Sequence, residues 1–522
     1  MKSPLPRHYL ALAMAIGLAG CAFAPAKVQH PALRDDVPLA GLQTPTGTSW
    51  PATDWWRAYG DPQLDTLMTL ALQHSPDLAQ ARNRVQTAEQ SVRIAAAQAG
   101  LSINGSAQVA RQRMSDHGLI PPQLLGFTWY NQADLGVQFQ YDFDWWGKKR
   151  SAIEAALDQA HVAEADRSAA ALTIQNAVAD TYFGWLADQA RLELAEQTVA
   201  AQQRLLQIAE LRVRQGVDLS DTVQQARSQL SAARQMQVAI DSSAQVRKVA
   251  LAALLGVAPA QLPPLQPRAL PEISSALPDN ARLDLIARRP DIAASRWQVE
   301  SALKQTDVAR AQFFPDISIS AMVGLSSTDQ GAPALLGGNG RGNLDNLFKA
   351  GSRVFALTPA LNLPIFEGGR LKAGYGYSRA QLDQAVAQYN TTVFDAARDV
   401  ATQALGAAQI ATRRKEQATQ VDAGEHLVAT AQARAHQGVR DAREGLTATA
   451  QLLQQQDQSI SLHAQALTTD LALIKALGGG YHMPTPASVP TADGKDATAK
   501  STASLNTSPS TNLAGATDHE RH

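Results

Sequence analysis

At 522 residues the chain is long enough for several ordinary domains. It carries 46 Lys and Arg against 47 Asp and Glu, a net charge of −1, so nothing electrostatic favours nucleic acid or an acidic substrate. Charged residues make up 18% and aromatics 5% while alanine is abundant, a mixture that suits long, closely packed helices better than thick aromatic cores.

The N-terminus reads as a targeting segment. Lys2, Arg7 and His8 form a basic start, and Leu10 to Gly20 form an apolar run too short to span a bilayer. The run ends in Leu18-Ala19-Gly20-Cys21, which resembles a bacterial lipobox. Residues 1–20 are then a lipoprotein signal peptide, and Cys21 carries the lipids. An ordinary secretory signal that contains a cysteine is the alternative. In signals of this type an Asp after the cysteine tends to retain the protein in the inner membrane, and Ala22 therefore favours the outer membrane. Cys21 is the only cysteine, which excludes an internal disulfide. Residues 21–60 are expected to be a lipid-anchored extended segment. Beyond Cys21 no uncharged apolar stretch reaches the ~18 residues of a membrane helix, so any membrane crossing would use β-strands.

The rest of the chain repeats itself. Ser75-Pro76-Asp77-Leu78-Ala79 recurs as Arg289-Pro290-Asp291-Ile292-Ala293, an offset of 290 − 76 = 214. Arg150 and Arg370 are offset by 220, and Gln215-Gly216-Val217 recurs as Gln437-Gly438-Val439, offset by 222. Leu255-Gly256 recurs as Leu477-Gly478, again by 222. Four ordered markers indicate a tandem duplication, with copies at 61–256 and 279–480 and a proline-rich linker at 257–278. Each copy predicts a helix of about 25 residues from Pro76 or Pro290, where proline suits the first turn. Two strands follow, then a very long helix (148–214 or 370–436), a glycine turn and a returning helix. Residues 481–522 are rich in Ser, Thr, Ala and Pro and are expected to be a disordered tail.

The strands alternate with period 2. Leu135, Val137, Phe139, Tyr141, Phe143 and Trp145 interleave with Asp134, Gly136, Gln138, Gln140, Asp142 and Asp144. Leu101, Ile103, Ala107 and Val109 mark the first strand, and Ile317, Ile319, Ala321, Val323 and Leu325 the third. Phe355, Leu357, Leu361 and Leu363 mark the fourth. Strands of about 11 residues cross a bilayer at a tilt. A soluble β-sandwich also alternates. Trp145 and Trp146, followed by Lys148, Lys149 and Arg150, tip the balance towards a membrane–water interface. Four strands are too few to close a barrel, so the chain must oligomerise. The external loops are expected at 111–130 and 326–352.

The long helices carry apolar stripes. Residues 178, 185, 192, 199, 206 and 213 are Val, Trp, Leu, Val, Leu and Val, a seven-residue repeat. Ala187, Leu194, Ala201 and Ile208 form a second stripe on nearly the opposite side, as a helix packed on both flanks requires. A helix of 67 residues spans about 100 Å, and the short and returning helices of each copy nearly match it end to end. A solid bundle would show similar periodicity. The second copy is less regular, with Arg414 at a stripe position.

Catalytic signals are weak. Gly337-Gly338-Asn339-Gly340 lacks the Lys-Ser/Thr of a P-loop, and His426, His436 and His463 lack metal-ligand spacing. No cofactor or metal is expected, and an enzyme is a poor reading.

Several stretches together resemble the outer-membrane efflux proteins of Gram-negative bacteria, the TolC-like channels, in their lipoprotein (NodT/OprM-like) branch. They are Asp54-Trp55-Trp56 with Gly60-Asp61-Pro62, Ser75-Pro76-Asp77-Leu78, Asp144-Trp145-Trp146-Gly147 and Ala287-Arg288-Arg289-Pro290-Asp291-Ile292. Phe313-Phe314-Pro315 and Pro364-Ile365-Phe366-Glu367-Gly368-Gly369-Arg370 complete the set; Leu101 departs from a proline common there. The resemblance implies a mainly α fold with a small β part. Its strand–strand–long-helix units would build a homotrimeric 12-stranded β-barrel continuous with a periplasmic α-helical barrel. It implies a passive exit duct, served by a periplasmic adaptor (membrane fusion protein) and an inner-membrane pump of the RND or the fusaric-acid/aromatic-acid exporter type. A channel for type I protein secretion is the alternative, and a structural periplasmic scaffold would not need the strands.

The same resemblance assigns sites. Tips at Gly216-Val217 and Gly438-Val439 would receive the adaptor. Arg440, Glu444 and Thr447 stand where such channels carry an Arg and two Asp of a gate, and Asp221 and Thr222 where its partners sit. An Arg440–Asp221 link is the expected lock, although Ala435 replaces a tyrosine often found in it. Three Glu444 carboxylates around a trimer axis would attract cations.

Overall fold

The computed structural model describes residues 24–34, 46–47, 50–117, 122–273, 277–278, 281–331 and 342–483. Residues 1–20, expected to be a signal peptide, Cys21, the Gly337–Gly340 run and residues 484–522 lie outside the described residues. The first copy contains α1 (Pro62–His74), α2 (Pro76–Ala99), β1 (Ser102–Arg113), β2 (Trp129–Phe143), α3 (Lys148–Arg214) and α4 (Ser220–Leu255). The second has a two-turn helix at Ala281–Arg288, then α5 (Pro290–Ala311), β3 (Asp316–Thr328), β4 (Arg353–Asn362), α6 (Arg370–His436) and α7 (Ala442–Ala476). Leu101 falls just before β1, and Trp145 and Trp146 fall beyond β2, in the turn to α3.

Local chemistry sets these boundaries. Asp61 caps α1 by accepting from the Gln63 N–H at 2.9 Å, and Pro76 and Pro290 open α2 and α5. Both long helices contain 67 residues and no proline, and each starts after a left-handed glycine, Gly147 (φ 74°) or Gly369 (φ 86°). Asp144 holds the start of α3 by accepting the N–H groups of Lys149 and Arg150 at 2.9 and 2.8 Å. Each long helix ends at a second left-handed glycine, where Val217 N–H reaches the Arg212 carbonyl (2.9 Å) and Val439 N–H reaches Arg434 (3.0 Å).

The repeat is tighter than one sequence marker suggests. Gly147 aligns with Gly369, Lys148 with Arg370 and Arg214 with His436, each by 222. Arg150 therefore corresponds to Lys372, and the Arg150–Arg370 match at 220 is coincidental. Helix starts (76, 290) and strand starts (102, 316) keep the 214 offset, so the change of 222 − 214 = 8 falls in the longer loop between β3 and β4.

The four strands form one antiparallel sheet in the order β1-β2-β3-β4. Its register puts like with like: Ile103, Phe139, Ala321 and Leu357 share one row, and Gly105, Val137, Val323 and Phe355 the next. Asn104, Gln138, Met322 and Ala356, and then Ser102, Gln140, Ser320 and Thr358, fill rows on the opposite face. One face thus carries an apolar band, bounded at its outer end by Arg111, Asn131, Ser327 and Arg353, and the band is exposed in the single chain: Val109 by 74% and Phe355 by 86%. Among the described residues, β1 and β4 are open edges.

The helices follow the same order. α3 packs on α2 and α4 along one flank and on α5 and α7 along the other, and α6 packs on α5 and α7. Within each copy the returning helix meets the short one end to end. Gly256 abuts the His74 carbonyl and Pro76, and Gly478 abuts the Arg288 carbonyl. Four columns of nearly equal length result. Both stripes of α3 are covered: Val178, Trp185, Ala187 and Ala201 are buried, and the other stripe positions are partly buried. One core gathers Tyr182, Phe183, Trp185 and Leu186 with Leu251 and Leu471, and Trp55, Trp56 and Tyr59 enter it through a 3-10 turn. The other gathers Ile292, Val299, Tyr389, Val393 and Leu473.

Candidate functional site

Where strands become helices, Trp145 is 67% exposed beside Phe143. Trp146, also exposed, stacks on Phe314 (4.7 Å, 16°) and donates its indole N–H to the Pro315 carbonyl at 2.8 Å. Lys148 pairs with Asp316 at 3.1 Å. Trp146 and Lys148 therefore tie the first copy to the second, a role that alternation could not suggest. Sequence reasoning missed Ile365 and Phe366, which are 86% and 89% exposed at the matching junction.

Residues 24–34 lie against α5 and α6. Arg310 donates to the Pro25 carbonyl (2.8 Å), Tyr375 to Ala26 (3.1 Å) and Tyr389 to Arg34 (2.8 Å). His30 meets Glu300 at 2.7 Å and Lys27 meets Asp307 at 3.7 Å. Residue 25 is thus held near the C-terminal end of α5, where β3 begins. Nearby, Lys304 pairs with Glu154 at 2.7 Å beside the buried Asp158. Burial first, and then the neighbouring Glu300 charge, push the Asp158 carboxyl up to about 6. An acid raised on folding favours the folded state fully below its ordinary value, and that advantage is lost as pH climbs through about 6. Asp158→Asn should therefore stabilise the protein by about 2 kcal/mol at pH 7.5, with the gain fading towards pH 4. Unfolding midpoints across that range measure it, and a gain independent of pH would contradict it.

At the opposite end, the tips are joined by a closed ring of charge. Arg212, four residues before Gly216, holds Asp218 at 2.7 Å and Asp441 at 3.3 Å. Arg443 holds Asp441 at 2.9 Å and Asp218 at 3.1 Å. The hydrogen bond from Arg212 holds the Asp218 carboxyl below its ordinary value. The Arg443 backbone N–H, more than its guanidinium, does the same for Asp441, which also caps α7. The expected gate residues lie beside this ring. Arg440, in the turn before α7, pairs with Glu444 in the first turn of that helix (3.4 Å), both largely exposed. Asp221 accepts from Ser220 (3.4 Å), Thr222 donates to the Leu219 carbonyl (2.7 Å), and Thr447 is exposed. No ion pair joins Arg440 to Asp221 within one chain among the described residues. Val217 and Val439, 58% and 66% exposed, stand at the turns with Leu219 at 77%.

Comparison with known proteins gives a consistent picture. Residues 67–257 and 283–479 match the outer membrane efflux protein family. The chain is 31% identical over 456 residues to the multidrug resistance outer membrane protein MdtP of Escherichia coli (strain K12), covering 86% of this chain and 89% of that protein. It is 31% identical over 477 residues to the multidrug resistance outer membrane protein MdtQ of Escherichia coli O157:H7, covering 89% and 96%. Among solved structures, the outer membrane protein VceC from Vibrio cholerae superposes with a TM-score of 0.72 at 32% identity, over 83% of this chain and all of that one. The open state of the Neisseria gonorrhoeae MtrE outer membrane channel shares the fold, with a TM-score of 0.72 at 24% identity over 88% and 98%.

Proposed function

Because the chain belongs to the outer membrane efflux protein family, we propose that it is the outer-membrane exit duct of a tripartite efflux system for drugs and other toxic compounds. One observation carries this reading: a sheet with an apolar band across one face and, among the described residues, two open edges stands over helical columns arranged in the same order. An exposed apolar face suits lipid, and open edges are not tolerated there, so three copies close a 12-stranded barrel. The columns, about 100 Å long, continue it as a passive conduit. An adaptor docks around Gly216-Val217 and Gly438-Val439, and an inner-membrane pump supplies the energy. Cys21 carries the lipid anchor. The hold of α5 and α6 on residues 25–26 supports this, since it directs the N-terminus towards the strand end. Trp145 lies at the lipid–water boundary, with Trp146 and Lys148 fixing its turn.

The repeat supports a gate between copies. Asp218 and Arg443 form an ion pair at 3.1 Å across the two tips of one chain. Adding 222 to 218 and subtracting it from 443 gives Arg440 and Asp221, the same contact with the charges exchanged. Arg440 of one copy therefore faces Asp221 and Thr222 of the next, with Glu444 and Thr447 on the axial side. Deleting the gene should sensitise the cell to several pump substrates, and restoring it should reverse this. Purified protein should form ion channels in planar bilayers. Unchanged susceptibility, together with no channels, would refute the reading.

A further inference from the structure

We infer that β4 and α6 of one copy join β1, α2 and α4 of a second copy in the register already used inside the chain, so that facing strand residues sum to 468. This rests on the oligomeric duct proposed above and specifies its seam. Inside the chain, β2 and β3 pair so that residue numbers sum to 460, as in Phe143–Ile317 and Gln140–Ser320. The repeat equates β2 with β4 (offset 222) and β3 with β1 (offset 214), so the sum becomes 460 + 222 − 214 = 468. Ile365 then faces Ile103, Leu361 faces Ala107 and Leu357 faces Arg111 of the next copy.

The faces match in this register. Leu357, Leu361, Ile103 and Ala107 all belong to the apolar face, and Thr358, Asn362, Ser102 and Ser106 to the other. A sum of 467 or 469 would put lipid-facing residues against the polar face, which a barrel wall forbids. The seam also explains why Ile365 is bare in one chain: its equivalent, Phe143, is paired within the sheet.

The seam between copies differs from the one inside the chain in its fastenings. The Trp146–Phe314 stack becomes Gly368 opposite Gly100, and Lys148–Asp316 becomes Arg370 opposite Ser102. Glu154–Lys304 becomes Gly376 opposite Gln90, and Arg191–Asp457 (2.7 Å inside the chain) becomes Arg413 opposite Gln235. Each exchange removes a ring stack or an ion pair. The contact between copies is held by backbone ladder and helix packing, with charge retained at the tip.

Disulfide trapping in the outer membrane tests the register. Facing Cα atoms lie about 4.5–5.5 Å apart and diagonal ones about 7–8 Å, against a disulfide window of about 4.4–6.8 Å. Leu361→Cys with Ala107→Cys should give covalent dimers and trimers on non-reducing gels, as should Leu357→Cys with Arg111→Cys. Leu361→Cys with Gly105→Cys, or with Val109→Cys, should leave single chains. Preferential trapping of either shifted pair overturns the register. So does failure of both facing pairs in a protein whose native mass is trimeric. A monomeric mass would instead remove the oligomeric duct itself.

Discussion

Gly478→Ala is expected to lower the amount of folded protein in the outer membrane sharply. Gly478 has φ +92°, a left-handed conformation that costs alanine about 1 kcal/mol. Its Cβ would also overlap the Arg288 carbonyl oxygen and lie 2.7 Å from the carbonyl carbon. Those atoms are backbone and cannot swing away, so overpacking adds about 1–3 kcal/mol or more. A total of roughly 3 kcal/mol is a large share of a stability of about 5–15 kcal/mol. Three glycines make the argument quantitative. Gly256 repeats the geometry against the His74 carbonyl, whereas Gly216 has a similar φ of +71° with nothing within 4 Å. Gly256→Ala should therefore be nearly as damaging as Gly478→Ala, and Gly216→Ala should cost only the backbone share. Trimer yield in membrane fractions and unfolding midpoints would rank them. Equal losses at 216 and 478 would mean that the end-to-end junction of short and returning helices does not govern stability.

How much of this was legible depended on whether a constraint repeats along the chain. The strands were legible because lipid on one side and water on the other enforce period 2 residue after residue. The long helices were legible because columns packed on both flanks need two stripes, and α3 carries both. The Arg150–Arg370 marker failed for a physical reason. Arg150 sits exposed on the first turn, where its charge has no fixed place, while the helix start is fixed by the left-handed Gly147 and Gly369. Residues 50–60, expected to be extended, send Trp55 and Tyr59 into the core, because a few aromatics give no periodicity to read. The tip ring was invisible for another reason. Asp218 and Arg443 lie 225 residues apart, and only the fold brings the two turns together.

Arg440→Asp is expected to hold the channel open, and adding Asp221→Arg to close it again. Within one chain, among the described residues, the Arg440 guanidinium pairs with Glu444, an exposed pair of a kind worth about 0.3–0.5 kcal/mol, so Glu444→Gln should change the open population little. In the proposed trimer the pair would occur across the seam three times around one axis. At about 0.5–1 kcal/mol each, three pairs sum to about 1.5–3 kcal/mol, roughly a ten- to hundredfold change in the open population. Arg440→Asp puts carboxylate against carboxylate, and the double exchange recreates the internal Asp218–Arg443 arrangement. Single-channel recording separates the possibilities: recovery in the double variant places the lock between copies, and no recovery removes it. Acid gives an independent control on the ring within each chain. The lowered carboxyls of Asp218 and Asp441 stabilise the joined tips above the ordinary carboxylate range, and that contribution is lost as pH falls through their folded values. Mild acidification should therefore leave the two tips of a chain fastened together.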